Sequence, residues 1–261
     1  MNVSRLVSLC FASVSLVAAS GCSISATPSS VTVKTQKQFT RDVSKTAATA
    51  WTGQRIIVNN VNGDLTVDTV SGSAIRADAH LVAYADDDLH QADADASLAE
   101  TEMTFVIDEP AGGPIHISCS RAGTHGTSGS TVSGCALHLY IPQGSSAVPM
   151  DLIETANNGS AVASGIIGSA IVHSGNGSVS LSATPTLGAA LEASTDVGDA
   201  TLTLPSTWAA DQVLIHTDLG LFTSDFPDVL VSTTSRGAAG TGAHSVVLTS
   251  GNGGLAMHAL R

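Results

Sequence analysis

Polar and apolar residues alternate with a period of two through much of the chain, in short runs separated by glycine-centred turns. In one of these runs, Val179 and Leu181 fall on one face, and Ser178 and Ser180 fall on the other. A period of two indicates β-strands. Related runs recur at Asn62–Val67, Asn158–Val162, Asn176–Leu181, Val197–Leu202, Leu219–Phe222 and Asn252–Met257.

The spacing of the glycines shows that these runs form a repeat. Gly177 lies 18 residues after Gly159, Gly198 follows after another 21, and Gly220 after another 22. A second corner lies between successive runs, at 164–168 and again at 185–188. Each period therefore holds two short strands and two turns. A hydroxyl residue stands a few positions before most of the glycines: Thr155, Ser174, Thr195, Thr217 and Thr249.

Two all-β architectures fit such a repeat. In an antiparallel β-sandwich, each Asn-Gly pair would make a tight hairpin turn. In a β-solenoid, each period is one coil stacked on the preceding coil. A solenoid has a narrow interior that accepts small aliphatic side chains, and aromatic residues make up only 3% of this chain. We therefore expect a β-solenoid, with the antiparallel β-sandwich as the alternative.

The repeat is interrupted between Gly63 and Gly159. Acidic residues at 86–88 precede good helix formers, and acids complement the positive end of a helix dipole. The pattern therefore predicts one helix, with Leu89, Ala92, Ala96 and Ala99 at helical spacing. Strands are predicted after it at 103–107, 115–119 and 136–141. The sequence thus predicts a solenoid domain over residues 51–261 with an α/β insertion at about 80–145.

The first 22 residues have the pattern of an export signal. Arg5 precedes an apolar run that ends at Ala19, and small residues then lead into Cys22. The run is shorter than a transmembrane helix of roughly 20 residues, and its layout is that of a secretory signal. The ending Ala-Ser-Gly-Cys resembles the bacterial lipobox, in which the cysteine is acylated, although Ala19 stands where Leu is usual. We predict a signal peptide at 1–21 and lipidation of Cys22, with an ordinary signal peptide as the alternative.

The segment 22–50 is rich in Ser, Thr and Lys and has little hydrophobic periodicity. We predict that part of it is a tether between the lipid and the folded body. Val31, Val33 and Phe39 are candidates for the start of an edge strand within it.

Composition excludes several classes of protein. Ten basic residues against 22 acidic ones give a net charge of -12, which leaves no basic surface for nucleic acid. Hydrophobic residues make up 43% of the chain, too large a share for general disorder. The glycines follow no three-residue period, so the chain is not collagen-like.

Taken together, these motifs resemble a known family. An exported segment is followed by an early Asn-Gly-Asp strand, a helix with strands, Tyr140-Ile141-Pro142, serial Asn-Gly-Ser coils and Leu204-Pro205. This order is similar to that of the DUF4097 family of bacterial envelope proteins, often labelled adhesins, and the resemblance covers about residues 56–260. It implies a β-solenoid-like fold and transfers no catalytic residue.

Cys119 and Cys135 are the cysteines that remain after the signal and Cys22. With His116 and His138 their spacing would also suit a zinc site. On a strand, however, residues three apart lie on opposite faces, so both cysteines share the apolar face and both histidines the other. Exported proteins also fold in an oxidising environment. We predict a Cys119–Cys135 disulfide and no metal site.

Motifs for catalysis and cofactor binding are absent from the sequence. The acidic run at 86–88 lacks the later ligands of a calcium loop, and Gly251–Ala256 leaves no room for a dinucleotide fold before the chain ends. Five acids of the repeat could cluster on stacked coils, or could simply be solvated turn residues: Glu154, Glu192, Asp196, Asp199 and Asp218.

The sequence therefore predicts a lipid-anchored, non-enzymatic protein of the bacterial envelope, with an adhesion, binding or structural role. We expect no cofactor, a membrane contact through the lipid, and an unidentified protein or glycan partner. Ser23 lacks the acidic character of an inner-membrane retention signal, which favours the outer membrane of a Gram-negative cell. The alternative is a β-helical carbohydrate-active enzyme, a lyase or hydrolase, which would need paired carboxylates and aromatic platforms.

Overall fold

The computed structural model describes residues 22–27, 30–35, 37–85, 92, 95, 96, 98, 105–119, 132–208, 212–226, 229 and 245–260. Within these residues the chain forms 18 strands. The first nine are β1 Cys22–Thr27, β2 Ser30–Thr35, β3 Lys37–Thr46, β4 Ile56–Asn62, β5 Leu65–Val70, β6 Arg76–Ala85, β7 Phe105–Asp108, β8 Ile115–Cys119 and β9 Val132–Pro142. The others are β10 Met150–Asn158, β11 Ala161–Asn176, β12 Val179–Thr184, β13 Ala190–Val197, β14 Ala200–Pro205, β15 Gln212–Leu219, β16 Phe222–Ser224, β17 Ser245–Asn252 and β18 Leu255–Leu260.

Two strand layers share the long strand β11, whose halves belong to different layers. Sheet 1 has the order β7-β8-β4-β10-β11-β13-β17-β15, with β11 contributing residues from Gly168 onward. Sheet 2 has the order β3-β6-β9-β5-β11-β12-β14-β18-β16, with β11 contributing residues from Ala161 to Ile167. The hairpin of β1 and β2 is a separate two-stranded sheet.

The prediction of an all-β fold is confirmed. The repeated runs pair in parallel with one another, and equivalent residues are aligned: Asn158 lies opposite Asn62 and Asn176, and Val197 lies opposite Asn176. Parallel pairing with a whole period between partners is what coils stacked on one another produce. The Asn-Gly pairs therefore do not make the antiparallel hairpins of a sandwich. Each one carries the chain from sheet 1 to sheet 2.

The order of coils in the stack differs from their order in the sequence. The coil of β8 and β9 lies next to the earlier coil of β4 and β5. At the other end, the last coil of the chain, β17 and β18, lies between β13/β14 and β15/β16. Local sequence alone gives no signal for either exchange.

Antiparallel strands flank the stack at one end. β6 pairs antiparallel with β9, and β3 pairs antiparallel with β6. In sheet 1, β7 pairs antiparallel with β8. The predicted helix falls largely outside the described residues, but Ala92, Asp95, Ala96 and Leu98 are helical, and Leu98 is buried. Residues 37–46, within the segment assigned to the tether, form β3.

The core lies between the two sheets and consists almost entirely of Ala, Val, Leu and Ile. Strand alternation explains it: every second residue of β10, β12 and β14 is buried. Several inward positions carry alanine, including Ala161, Ala163 and Ala170, which are all but inaccessible to solvent. Small residues at facing positions let the layers interdigitate at native packing density.

Glycine is required at the Asn-Gly corner because successive coils approach closely there. The glycine column comprises Gly63, Gly159, Gly177, Gly198, Gly253 and Gly220 in stack order. A Cβ on Gly177 would lie 2.3 Å from the carbonyl oxygen of Gly159, and a Cβ on Gly198 would lie 2.4 Å from that of Gly177. The backbone N–H of Gly159 donates to the Asn176 carbonyl oxygen at 2.8 Å. Any side chain would push these coils apart.

A column of side-chain donors stabilises the same corner from within. The hydroxyls of Ser174, Thr195, Ser250 and Thr217 each donate to a glycine carbonyl of the neighbouring coil, at 2.7 to 3.0 Å. Thr155 and Thr249 were assigned to this set from sequence, but the aligned inward residues are Ala156 and Ser250. Alanine has no hydroxyl, and the Gly63 carbonyl instead accepts from Asn60 Nδ2 at 2.9 Å.

Candidate functional site

A cleft of about 400 Å³ opens on the outer surface of sheet 2, where the antiparallel strands meet the parallel stack. It lies over β3, β6 and β9 and the turn that precedes β5. Its lining residues are Asp42, Val43, Ser44, Asp64, Thr66, Asp78, Ala79, His80, Ala136, Leu137 and His138. Three of them are carboxylates and none is Lys or Arg. The cleft is therefore a place where a positively charged group would be favoured.

The strand register brings the polar side chains of the cleft together. Asp42 lies opposite His80, and Asp78 lies between Ser44 on one side and His138 on the other. Because residues two apart on a strand share a face, Asp78 and His80 face outward together. The intervening Ala79 is buried beneath them.

Two histidine–aspartate pairs organise the surface of the cleft. His80 Nδ1 lies 2.6 Å from Asp42 Oδ1, and His138 Nε2 lies 2.8 Å from Asp68 Oδ2. Each pair bridges two strands and orients the imidazole ring. A ring held in this way presents the same polar edge to any partner that enters the cleft.

The aromatic ring beside the cleft is engaged by other side chains. The rings of His138 and Tyr140 stack with 4.3 Å between centroids, and the Arg76 guanidinium lies 4.2 Å from the Tyr140 centroid. Arg76 Nη2 also donates to Asp78 Oδ2 at 2.8 Å. The other oxygen of that carboxylate, Asp78 Oδ1, is buried without a hydrogen-bond partner. The site is thus rich in oriented polar atoms.

Over β11, β12 and β14, the outer face of sheet 2 carries mostly small, uncharged residues. The parallel register aligns two rows of mainly hydroxyl residues: Thr66, Val162, Ser180 and Thr201 in one row, and Ser182 with Thr203 in the other. A side-chain ladder runs along the corner, where Asn158 Nδ2 donates to Asn62 Oδ1 at 2.9 Å and Asn176 Nδ2 to Asn158 Oδ1 at 3.0 Å. Val197 aligns with Asn176 in the next coil and ends the amide ladder.

The five acids of the repeat do not form one cluster. Glu192, Asp196 and Asp218 belong to the outward rows of sheet 1, and Asp218 pairs with His216 at 3.1 Å. Asp199 lies in a turn, where its Oδ1 accepts from the Gly254 N–H at 2.7 Å. Glu154 is not a turn residue at all, because it occupies an inward position of β10.

Glu154 is the one carboxylate among the described residues that is wholly buried. In the register of sheet 1 it lies between Val58 and Val172. Burial raises the pKa of Glu154 to about 8, opposed only by the nearby Val162 backbone N–H. Neither of its oxygens has a hydrogen-bond partner of normal geometry. The group is therefore held largely as the neutral acid at pH 7.

The predicted disulfide is present between Cys119 and Cys135, with Cα atoms 6.4 Å apart. Both cysteines are buried, whereas His116 and His138 face outward, as the strand parity predicts. Among the described residues there is no group of three metal-ligating side chains. Cys22 is the first residue of β1. The described part of the chain also contains no helix with the length and apolar character of a membrane span.

Sequence reasoning did not bring together the cleft residues Asp42, Asp78, His80 and His138, or Asp68 beside them. The signal was present in the stretch 76–80, in which charged or histidine residues occupy every second position, and in 136–140, in which Ala136, His138 and Tyr140 alternate with leucines. Their proximity depends on antiparallel pairing between strands that lie about 60 residues apart in sequence. No local pattern specifies that pairing.

Comparison with known proteins identifies this fold. The structure is similar to a crystal structure of a "putative cell adhesion protein" from Clostridium sporogenes, with a TM-score of 0.55 and 11% sequence identity. The similarity covers 84% of this chain and 100% of that protein. No protein-family model and no curated protein matches the sequence. At this identity the likeness describes the architecture alone.

Proposed function

We propose that this protein is a lipid-anchored, non-enzymatic adhesion or binding protein of the bacterial envelope, of the DUF4097 type. The cleft on sheet 2 carries the proposal, because three carboxylates and two histidines line it together. The architecture shared with a protein named for cell adhesion supports it. So does the sequence pattern of an export signal, which ends in Cys22.

The partner that suits the cleft presents a positive charge on a polar scaffold, such as a lysine-bearing protein surface or a glycan with free amino groups. The hydroxyl rows beside the cleft offer many weak hydrogen bonds over a wide area. Contacts of this kind gain strength from repetition rather than from one deep pocket.

Binding of paired oligosaccharides tests this proposal. Glucosamine oligomers carry a positive charge on each sugar, and their N-acetylated counterparts carry none, so the two differ in the group that the cleft would recognise. An oligolysine peptide probes a protein partner. We expect the cationic probes to bind, with an affinity that falls as salt screens the charges.

Substitutions distinguish binding at the cleft from a general attraction of cations to an acidic protein. Asp42→Asn with Asp78→Asn removes two charges from the cleft, and the matched control Asp196→Asn with Asp218→Asn removes two from sheet 1. We expect the first pair to weaken binding about tenfold, which corresponds to about 1.4 kcal/mol, and the control to change it little. Equal losses in both variants would mean that net charge, and not the cleft, attracts the probe.

The anchor is tested separately. Cys22→Ala removes the acceptor thiol, so this variant should leave the detergent-rich phase in a phase-separation assay, whereas the unaltered protein should stay in it. Membrane partitioning that survives the substitution would contradict lipidation at Cys22.

The alternative, a β-helical carbohydrate-active enzyme, has one specific point in its favour. Asp196 and Asp218 lie in the same outward row, two strands apart, with Gly251 between them. Two strand spacings place their backbones about 10 Å apart, close to the carboxyl separation of inverting glycosidases. Release of reducing ends from a polysaccharide panel, lost in Asp196→Asn, would support the enzyme over the adhesin.

A further inference from the structure

Four corners of the stack contain an Asn-Gly pair, which is a chemically labile sequence. The pairs begin at Asn62, Asn158, Asn176 and Asn252. In such a pair the backbone nitrogen of the glycine can attack the side-chain amide carbon of the asparagine, because glycine has no side chain to hinder the approach. A folded chain blocks the attack where it holds the nitrogen in a hydrogen bond or restrains the amide.

The glycine nitrogen of each pair is held by the coil on its outer side. The N–H groups of Gly63, Gly159 and Gly177 donate to carbonyl oxygens of the next coil at 2.7 to 2.8 Å, and that of Gly253 donates to the Leu219 carbonyl oxygen at 2.8 Å. The first three acceptors belong to strands that are paired on both sides. Leu219 instead ends β15, whose one strand partner among the described residues is β17. The nitrogen of Gly253 is therefore released by the smallest local opening of the stack.

The side-chain amides differ in the same direction. The other three asparagines are joined in the amide ladder, in which Nδ2 of one side chain donates to Oδ1 of the next. Asn252 is exposed and lies in register between Val197 and Leu219. Neither of these side chains has a polar atom, so the ladder does not reach Asn252. Rotation of the Asn252 amide towards its own glycine nitrogen is not restrained by the ladder.

We infer that Asn252 is the site at which this protein is modified as it ages, by loss of ammonia and conversion to aspartate and isoaspartate. The Gly253 nitrogen loses its proton and bonds to Asn252 Cγ. The Cγ–Nδ2 bond breaks, and the departing amide nitrogen takes up a proton and leaves as ammonia. Water then opens the resulting succinimide ring. Cleavage at Cγ gives aspartate, and cleavage at the backbone carbonyl carbon gives isoaspartate, so water is the co-reactant.

The modification would fall where it disturbs the stack. Isoaspartate routes the backbone through the Cβ of residue 252 and so lengthens the corner between β17 and β18. That corner has no spare room, because a Cβ added to Gly253 would lie 1.9 Å from the Gly198 carbonyl oxygen. Either product also adds a negative charge to the corner at which Asp199 Oδ1 accepts from the Gly254 N–H. We expect β15 and β16, which pair with this coil, to lose protection from hydrogen exchange as conversion proceeds.

Peptide mapping of the full chain, aged at mildly alkaline pH in water enriched in heavy oxygen, tests the inference. The heavy oxygen marks each converted residue, and electron-transfer fragmentation separates isoaspartate from aspartate. We expect conversion at Asn252 to be at least about tenfold faster than at Asn158 or Asn176, because opening of inner coils costs more than opening of the outer one. A synthetic peptide of residues 249–256 gives the rate without protection.

Two variants sharpen the test. Val197→Asn supplies an amide that can continue the ladder to Asn252, and should slow its conversion about threefold. Val197→Thr matches valine in size, carries no amide, and is the control. Gly220→Ala displaces the outer coil, because the added Cβ would lie 1.9 Å from the Gly253 carbonyl oxygen. It should speed conversion at Asn252 and leave Asn158 unchanged.

Comparable rates at all four pairs would overturn the inference, and so would faster conversion at Asn158 or Asn176. An Asn252 that stays intact while the synthetic peptide converts would overturn it too. Asn252→Gln keeps an amide but would have to form a larger ring, so β15 and β16 should keep their protection as this variant ages. An equal loss of protection in the aged variant would contradict the effect of the modification on the outer coil.

Discussion

The outer coils at the two ends of the stack are stabilised by different structural features. At the β8/β9 end, the coil has no Asn-Gly turn, and the Cys119–Cys135 bridge joins sheet 1 to sheet 2 where the glycine column would continue. Antiparallel strands then extend both sheets at this end: β6 pairs with β9, and β7 pairs with β8. At the β15/β16 end, the coil still turns at a glycine, β16 has only three residues, and Leu219 and Leu221 are 70% and 80% exposed.

The difference shows what a parallel stack needs at its boundary. A coil in the middle is held by neighbours on both sides, whereas an outer coil has one neighbour and must find its stability elsewhere. The first end obtains it from a covalent bridge and from longer strands, and it carries the cleft. The second end obtains little stability from either source. We call the β8/β9 end the capped end and the β15/β16 end the open end. Four experiments test this contrast.

The largest effect is expected from the glycine column. An added Cβ would lie 2.3 Å from the Gly159 carbonyl oxygen in Gly177→Ala and 1.9 Å from the Gly253 carbonyl oxygen in Gly220→Ala. In the middle of the stack, relief requires two coils to separate, at a cost of about 3 kcal/mol. At the open end, β15 and β16 can move away alone, so the cost is about 1 kcal/mol despite the closer approach. Equal losses in denaturant unfolding would contradict an open end.

The next effect is a pH dependence that belongs to the capped half, where Glu154 lies beside β4. Its pKa is raised in the folded chain from 4.5 to about 8, so the folded state binds the proton more tightly than the unfolded state. This contribution to stability is fully present below pH 4.5 and is lost as the pH rises towards 8. We expect the loss to amount to a few kcal/mol.

Glu154→Gln has no proton to lose, so its stability should not show this slope. Hydrogen exchange at pH 6 and pH 8 should locate the change in β4 and β10, with β15 and β17 unaffected. A slope that persists in Glu154→Gln would assign the pH dependence to another group.

Removal of the disulfide is expected to have a smaller effect, confined to the capped end. The bridge closes a loop with a sequence separation of 16, and a loop of that size is worth about 3 kcal/mol in the chain-entropy model, with less in practice when the reduced chain retains structure. Cys119→Ala with Cys135→Ala should lose protection in β8 and β9 and retain it in β15. Protection lost evenly along the chain would show that the stack unfolds as one cooperative unit.

The smallest effect is expected from the hydroxyl column. Thr195→Val keeps the shape of the side chain but leaves the Gly177 carbonyl without its donor, at a buried position, and should cost about 1 to 2 kcal/mol. Thr217→Val makes the same change at the open end, where water can replace the donor, and should cost less than about 1 kcal/mol. A larger loss for Thr217 would reverse the contrast between the ends.

Much of this fold was predictable because the repeat is local. Glycine spacing and period-two alternation located the corners, and strand parity placed both cysteines in the core. The same alternation places Glu154 on the buried face, together with Leu152 and Ala156. Its carboxylate group, however, favoured a prediction that Glu154 is exposed to solvent. The hydroxyl column was misassigned at 155 and 249 because its members stand three residues, and not four, before the glycine.

The cleft and the order of the coils could not be predicted from local sequence patterns. His80 and His138 line the same cleft only after β6 has paired with β9. β17 separates β15 from β13 only after the chain has returned from a distant segment. Such contacts are decided by competition among edges of similar register. A short window of the sequence does not show which of these edges will pair.

The intercalated last coil has a consequence for folding during synthesis. A chain that emerges N-terminus first delivers β15 before β17, while the edge of β13 is still open. β15 fits that edge in register, because Gln212 and Ala190 both align with Ser245 in the finished structure. If β15 pairs with that edge first, it has to separate from β13 again before β17 can take its final place between them. Losing the final 17 residues would accordingly remove an inner layer of the protein, and the layer outside it would have to move inward to replace it.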